Sequence, residues 1–139
     1  MMLKQKNWEI RLAKELKTER LFQWGRDDCC LFVGDIIKAM TGFDPAKSFR
    51  GKYSTSLGAY KELKRRGFSD VGDLANKMAL AMGFKKVDIN FAKNGDIVST
   101  LIEDHVSLGV VQGEYGVFVG SCGYVYINKS DVLTAWAVE

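Results

Sequence analysis

Apolar residues along this chain keep two different rhythms. Up to about residue 83 they recur every three or four positions, and beyond about Lys86 they alternate in short runs punctuated by glycine. The first rhythm predicts helices. Trp8, Leu12 and Leu16 mark one face of a helix from Asn7 to about Arg20, with Asn7 as its N-cap. Gly25 then breaks the chain, and Asp27 or Asp28 caps a second helix, roughly Cys29 to Met40. Cys29, Val33, Ile36 and Met40 share a face of it, and Gly42 is its stop signal. "FDPAKSFRGKYST", which holds the one proline, Pro45, reads as a loop. Thr55 or Ser56 opens a third helix carrying Leu57, Tyr60 and Leu63, closed by Gly67. "SDVGDLANKMALAMG" is a fourth, with Leu74, Met78 and Met82 inward and Gly83 at its end.

The second rhythm predicts strands at "DIVST", "VSLGVVQ", "GVFVG", "YVYI" and "TAWAV", in a segment rich in Val, Tyr, Ile and Phe. Helices first and an antiparallel sheet last is an α+β arrangement. The 139 residues fit a single domain, with a helical half over about 7–83 and a sheet half over about 87–139. No repeat, linker or low-complexity segment interrupts it.

Composition changes this picture little. A hydrophobic fraction of 47% against 27% charged residues supports a substantial core and argues against disorder. The net charge of +3 comes from lysines and arginines interleaved with glutamates, as in "KELKTER" and "KELKRR". That is the pattern of solvated helix faces rather than of a nucleic-acid patch, although it suits weak attraction to an anionic polymer such as a cell wall. No run of 18 apolar residues marks a membrane span. The opening residues lack the long apolar core of a signal peptide.

The chemistry sits where the second helix begins. Three cysteines do not form a disulfide framework, so at least one thiol is expected to be free. At a helix N-terminus the unpaired N–H groups and the dipole stabilise a thiolate, which is the nucleophilic form. Cys29 is so placed, although Asp27 and Asp28 oppose the effect by their charge. A cysteine nucleophile needs a base, and the single histidine, His105, lies 76 positions later at the start of an expected strand. Glu103 and Asp104 are placed to orient it or to be solvated. The competing view of Cys29 is a small buried hydrophobe, and Cys30 suits packing. A Cys30–Cys122 disulfide, or a metal site from Cys29, Cys30, Cys122 and His105, has little support, because no Cys-x-x-Cys is present. Asp28 and Asp96 suit caps or turns. Trp24, Tyr53 and Trp136 suit the core, and "GSCGYVYI" suits a β-turn.

"WGRDDCCLFV" resembles the nucleophile motif of the NlpC-type, papain-like cysteine peptidases, in which Asp-Cys opens a helix after an aromatic-glycine turn. Asp28-Cys29 fits that pair and Val33 matches, whereas Cys30, Leu31 and Phe32 depart from the family's Ser-Gly-Leu. "NGDIVST" resembles the Gly-Asp that starts the family's first sheet strand, and "DHVSLGVVQGEYGVFVG" its His strand and hairpin. The resemblance is closer to small NlpC-like proteins of tailed-phage tail gene clusters, through the Trp-containing first helix, the "RGKYST" loop and the "AWAV" strand. It implies a papain-like fold and a phage tail-associated peptidase or amidase acting on peptidoglycan stem peptides. Cys29 would be the nucleophile and His105 the base, with no metal or cofactor. Partners would be peptidoglycan and other tail-tip proteins, and location the virion or, during assembly, the host cytoplasm. "HVSLGVVQG" is about two residues longer than the family's strand, so the family position falls at His105 or at Ser107. The third polar residue of the family has no clear match; Gln112 and Ser121 stand nearest to the role. These departures define a rival, a structural or assembly component of the tail tip with decayed chemistry. A cytosolic amidotransferase or acyl-transfer enzyme is a third alternative.

Overall fold

The computed structural model describes residues 3–138. Four helices come first: α1 (Trp8–Leu16), α2 (Cys29–Thr41), α3 (Ser56–Arg65) and α4 (Val71–Met82). Six strands follow: β1 (Lys85–Val87), β2 (Ile97–Ile102), β3 (His105–Gln112), β4 (Tyr115–Gly120), β5 (Gly123–Asn128) and β6 (Thr134–Ala137). They form one antiparallel sheet in the order β1-β6-β2-β3-β4-β5. The fold is therefore α+β, with helices preceding the sheet as the two rhythms indicate.

The caps explain most boundaries. Asp28, Thr55 and Asp70 each accept a hydrogen bond from the backbone three residues on, and Gly42 and Gly83 end α2 and α4 in the left-handed region. Three expectations need correction. Asn7 precedes α1, but its carboxamide caps nothing; it accepts from Arg11 Nε at 3.1 Å. That helix also stops at Leu16, because the following residues turn away and deliver Arg20 to buried ion pairs. On α3, Leu57 and Tyr60 face solvent and no residue is fully buried; Ala59, Leu63 and the half-buried stem of Glu62 face the protein instead. The strand β1 was not expected. It is three residues long with two exposed lysines, and only its pairing with β6 makes it a strand.

The helix α2 is the centre of the molecule. Phe32, Ile36 and Met40 are fully buried and pack on Val110, Val117, Val119 and Trp136 of the sheet. Adjacent strand residues point oppositely, so Val98, Val111, Phe118 and Ala135 build a second core with Ala92 and Val132 on the other face. Burial on both sides explains the nearly continuous apolar runs of β3 and β4.

The β2–β3 connection is a two-residue turn. Glu103 and Asp104 both have positive φ (51° and 64°), the geometry that matches hairpin twist. His105 is thereby the first residue after the turn, paired with Ile102.

Candidate functional site

Asp28 is almost fully buried, at 2% exposure, and three donors converge on it. Its Oδ1 accepts from the Leu31 N–H at 3.0 Å. Its Oδ2 accepts from the Gly25 N–H at 2.9 Å and from the Tyr53 hydroxyl at 2.6 Å. Of the two acids it is thus the cap, while Asp27 instead pairs with Arg20 at 3.0 Å. Gly25 has φ +81°, and a Cβ there would run into the Tyr53 carbonyl. The Trp-Gly turn and the "RGKYST" loop are therefore locked together behind the start of α2. Burial first, and then the hydrogen bond it donates to Asp28, push the Tyr53 phenol upward and keep it protonated.

This arrangement fixes Cys29 at the first turn of α2, buried at 9% exposure. Its thiol pKa is lowered. The hydrogen bond from the Cys30 thiol contributes most; desolvation opposes it, the Leu108 backbone N–H and the Ser107 hydroxyl assist, and the Asp28 charge opposes. Cys30, which gives its proton to that bond and is itself desolvated, is pushed well above the ordinary thiol value. All three cysteines are free; Cys122 is exposed in the β4–β5 turn. The described residues hold no group of three or more His, Cys, Asp or Glu able to ligate a metal ion.

The side chain that β3 brings to Cys29 is Ser107. Pairing between β3 and β4 begins at Val110, so the first half of β3 is paired with β2 alone. His105 shares the strand face of Ser107 but lies two residues, about 7 Å, nearer the turn. It is exposed. Glu103 and Asp104, in the turn itself, are exposed too. Gln112 lies at the far end of β3, opposite Tyr115. Ser121 is exposed, with its Oγ 3.8 Å from Cys122 Sγ. Asp96 is buried in the turn before β2, accepting from the Lys93 N–H at 2.9 Å. Trp136 belongs to the core, whereas Trp24 is 39% exposed and edge-on to Phe22.

Four supporting residues escaped the sequence reading. Besides Tyr53 they are Arg20, Asp35 and Arg50. Arg20 is 6% exposed and pairs with Glu15, Asp27 and Asp35; Asp35 on α2 also pairs with Arg50, which closes on Asp44 at 2.8 Å. This chain of ions ties the loop before α3 to α2. Its only sequence signal is an acid, Asp35, within the apolar run from Cys29 to Ile37.

Together the fold and the site define an α+β domain with a buried, lowered-pKa thiol at a capped helix N-terminus. The chain belongs to the family described as "Domain of unknown function (DUF6950)", whose pattern matches residues 3–138. No curated protein and no solved structure matches the chain. Among the described residues, no helix is long and apolar enough to cross a membrane.

Proposed function

We propose that this is an NlpC-like, papain-like domain that keeps the nucleophile position but not the base beside it, and that it serves as a structural or assembly component of a phage tail tip. The observation that carries the first half is the neighbour of Cys29: Ser107, whose hydroxyl cannot take up a proton near neutral pH as an imidazole can. The burial of Cys29 points the same way, since a peptide carbonyl must reach the nucleophile. The tail-tip assignment follows from the sequence resemblance.

The peptidase reading has an observation in its favour. The Cys29 thiol is lowered at a helix N-terminus, as nucleophilic attack requires. In that mechanism Cys29 attacks an amide carbonyl, His105 takes the thiol proton and returns it to the leaving amine, and water releases the acyl enzyme. The hairpin would have to carry His105 inward by about two residues.

Both readings meet in one experiment. Purified peptidoglycan is incubated with the wild-type chain, with Cys29→Ala and with His105→Ala, and released peptides are measured by mass spectrometry. The structural reading expects no release from any of them, and Cys29→Ala to restore tail-tip assembly to phage lacking the wild-type gene. Wild-type cleavage abolished by both substitutions would overturn it.

A further inference from the structure

The two edges of the sheet are built differently. One is β1, three residues long with Lys85 and Lys86 exposed, the form in which natural edges resist pairing. The other is β5, six residues reading "GYVYIN", without a charge or a proline. Val125 and Tyr126 are exposed on it, and Tyr126 stands edge-on to the exposed Tyr115 of β4 at 6.0 Å. Hairpin geometry fixes which backbone groups of β5 are free. The two-residue turn at Ser121 and Cys122 makes Gly120 and Gly123 a hydrogen-bonded pair. The bond of 2.8 Å from the Lys129 N–H to the Glu114 carbonyl keeps the same phase at the other end. Val125 and Ile127 therefore bond inward to β4, whereas Tyr124, Tyr126 and Asn128 turn their N–H and C=O groups outward. Among the described residues no backbone bond engages those outward groups.

We propose that β5 pairs antiparallel with β5 of a second copy of this chain, about a two-fold axis at Val125. The sequence of the strand favours a second copy over a strand of a different protein. Tyr124-Val125-Tyr126 reads the same in both directions, so the axis sets each Tyr124 opposite Tyr126 of the second copy. Those residues carry the outward groups, so each facing pair exchanges two backbone bonds, and Val125 meets its own counterpart at a non-hydrogen-bonded position. No like charges meet, since Lys129 falls opposite Ser121 of the second copy. The pairing also ends itself: it covers both β5 edges and leaves the lysine-bearing β1 edges outermost. It does not depend on whether Cys29 reacts, so it goes beyond the functional reading above.

Sedimentation equilibrium of the full chain tests the association, and a concentration-dependent dimer is expected. Cross-links in a Cys122→Ser background then read the register. Facing Val125 residues would have Cα atoms about 4.5 Å apart, within disulfide reach. Asn128 falls opposite position 122, so the two Asn128 residues would stand about 20 Å apart. Val125→Cys should therefore give a disulfide-linked dimer under mild oxidation, and Asn128→Cys should not. Val125→Lys sets like charges face to face and should raise the dimer dissociation constant severalfold, with circular dichroism showing the fold retained. A chain that stays monomeric leaves the edge to a strand of a different protein and overturns the proposal. So does a dimer in which Val125→Cys bridges no faster than Asn128→Cys, or one indifferent to Val125→Lys.

Discussion

The isosteric substitution Asp28→Asn probes the node on which the whole site hangs. The carboxylate accepts from Leu31, Gly25 and Tyr53, and all three bonds lie in a buried place. Asparagine keeps one oxygen, which can stay on the Leu31 N–H and preserve the cap. Its amide nitrogen then faces the Gly25 N–H, donor against donor, and the Tyr53 hydroxyl must turn round to accept. Hydrogen bonds to charged groups contribute about 1.5–3 kcal/mol each, and an orphaned buried donor costs about 1–3 kcal/mol. With one bond lost outright and one weakened, the expected loss is about 3 kcal/mol. Asp28→Ala removes the cap as well and should cost about 1 kcal/mol more. Tyr53→Phe, which leaves the other two bonds in place, should cost about 1.5 kcal/mol. In urea, with a slope of about 1.5 kcal/mol per M for a chain of this size, Asp28→Asn should move the midpoint down by about 2 M. The double variant should fall short of the sum of the two single effects, since they share a bond. A second readout has the opposite sense. The Asp28 charge raises the Cys29 pKa, so its neutralisation should lower the thiol titration midpoint further even as the fold weakens. The reasoning is refuted if Asp28→Asn costs no more than Asp104→Asn in the exposed turn, or if the Cys29 midpoint rises.

Further outcomes follow from the same geometry. Followed by the ¹³Cβ shift of labelled cysteine, the Cys29 thiol should titrate below the ordinary value of about 8.5. Cys30→Ala and Ser107→Ala should each raise that midpoint and His105→Ala should leave it unmoved; a rise with His105→Ala would contradict the placement of the histidine. Ser107→His should lower it, because an imidazolium beside the thiol stabilises the anion. Arg20→Ala leaves Glu15, Asp27 and Asp35 without their shared partner and should cost about 3–5 kcal/mol in urea unfolding, as for other buried ion pairs broken on one side. An effect under about 1 kcal/mol would mean the network is solvated. Burial pushes the Asp44 carboxyl up, but the Arg50 guanidinium and the Ala46 N–H outweigh it and hold it below the ordinary value. Its contribution is therefore present above the unfolded value of about 3.9 and lost as pH falls through the lower folded one. Stability measured across that range should decline, and less steeply in Asp44→Asn.

The sequence by itself determined the elements. Caps, stop glycines and the change from helical to alternating periodicity are local facts, and they located α2, α4 and the five longer strands closely. They also put a thiol at the first turn of α2, because an acid before an apolar helical run caps it wherever it lies. What periodicity could not reveal was who faces whom. The strand offset left His105 and Ser107 as alternatives on one face, and the height of each along β3 was set by where the positive-φ turn at Glu103 and Asp104 began the strand. Tyr53 reads as a core aromatic until the loop folds back to put its hydroxyl on Asp28, 25 residues away. Arg20 reads as the end of a solvated helix until three carboxylates enclose it. Local hydrogen bonding and periodicity are set by near neighbours along the chain, whereas burial, pKa and the partner of a nucleophile depend on packing between distant segments, and those only the tertiary structure decided.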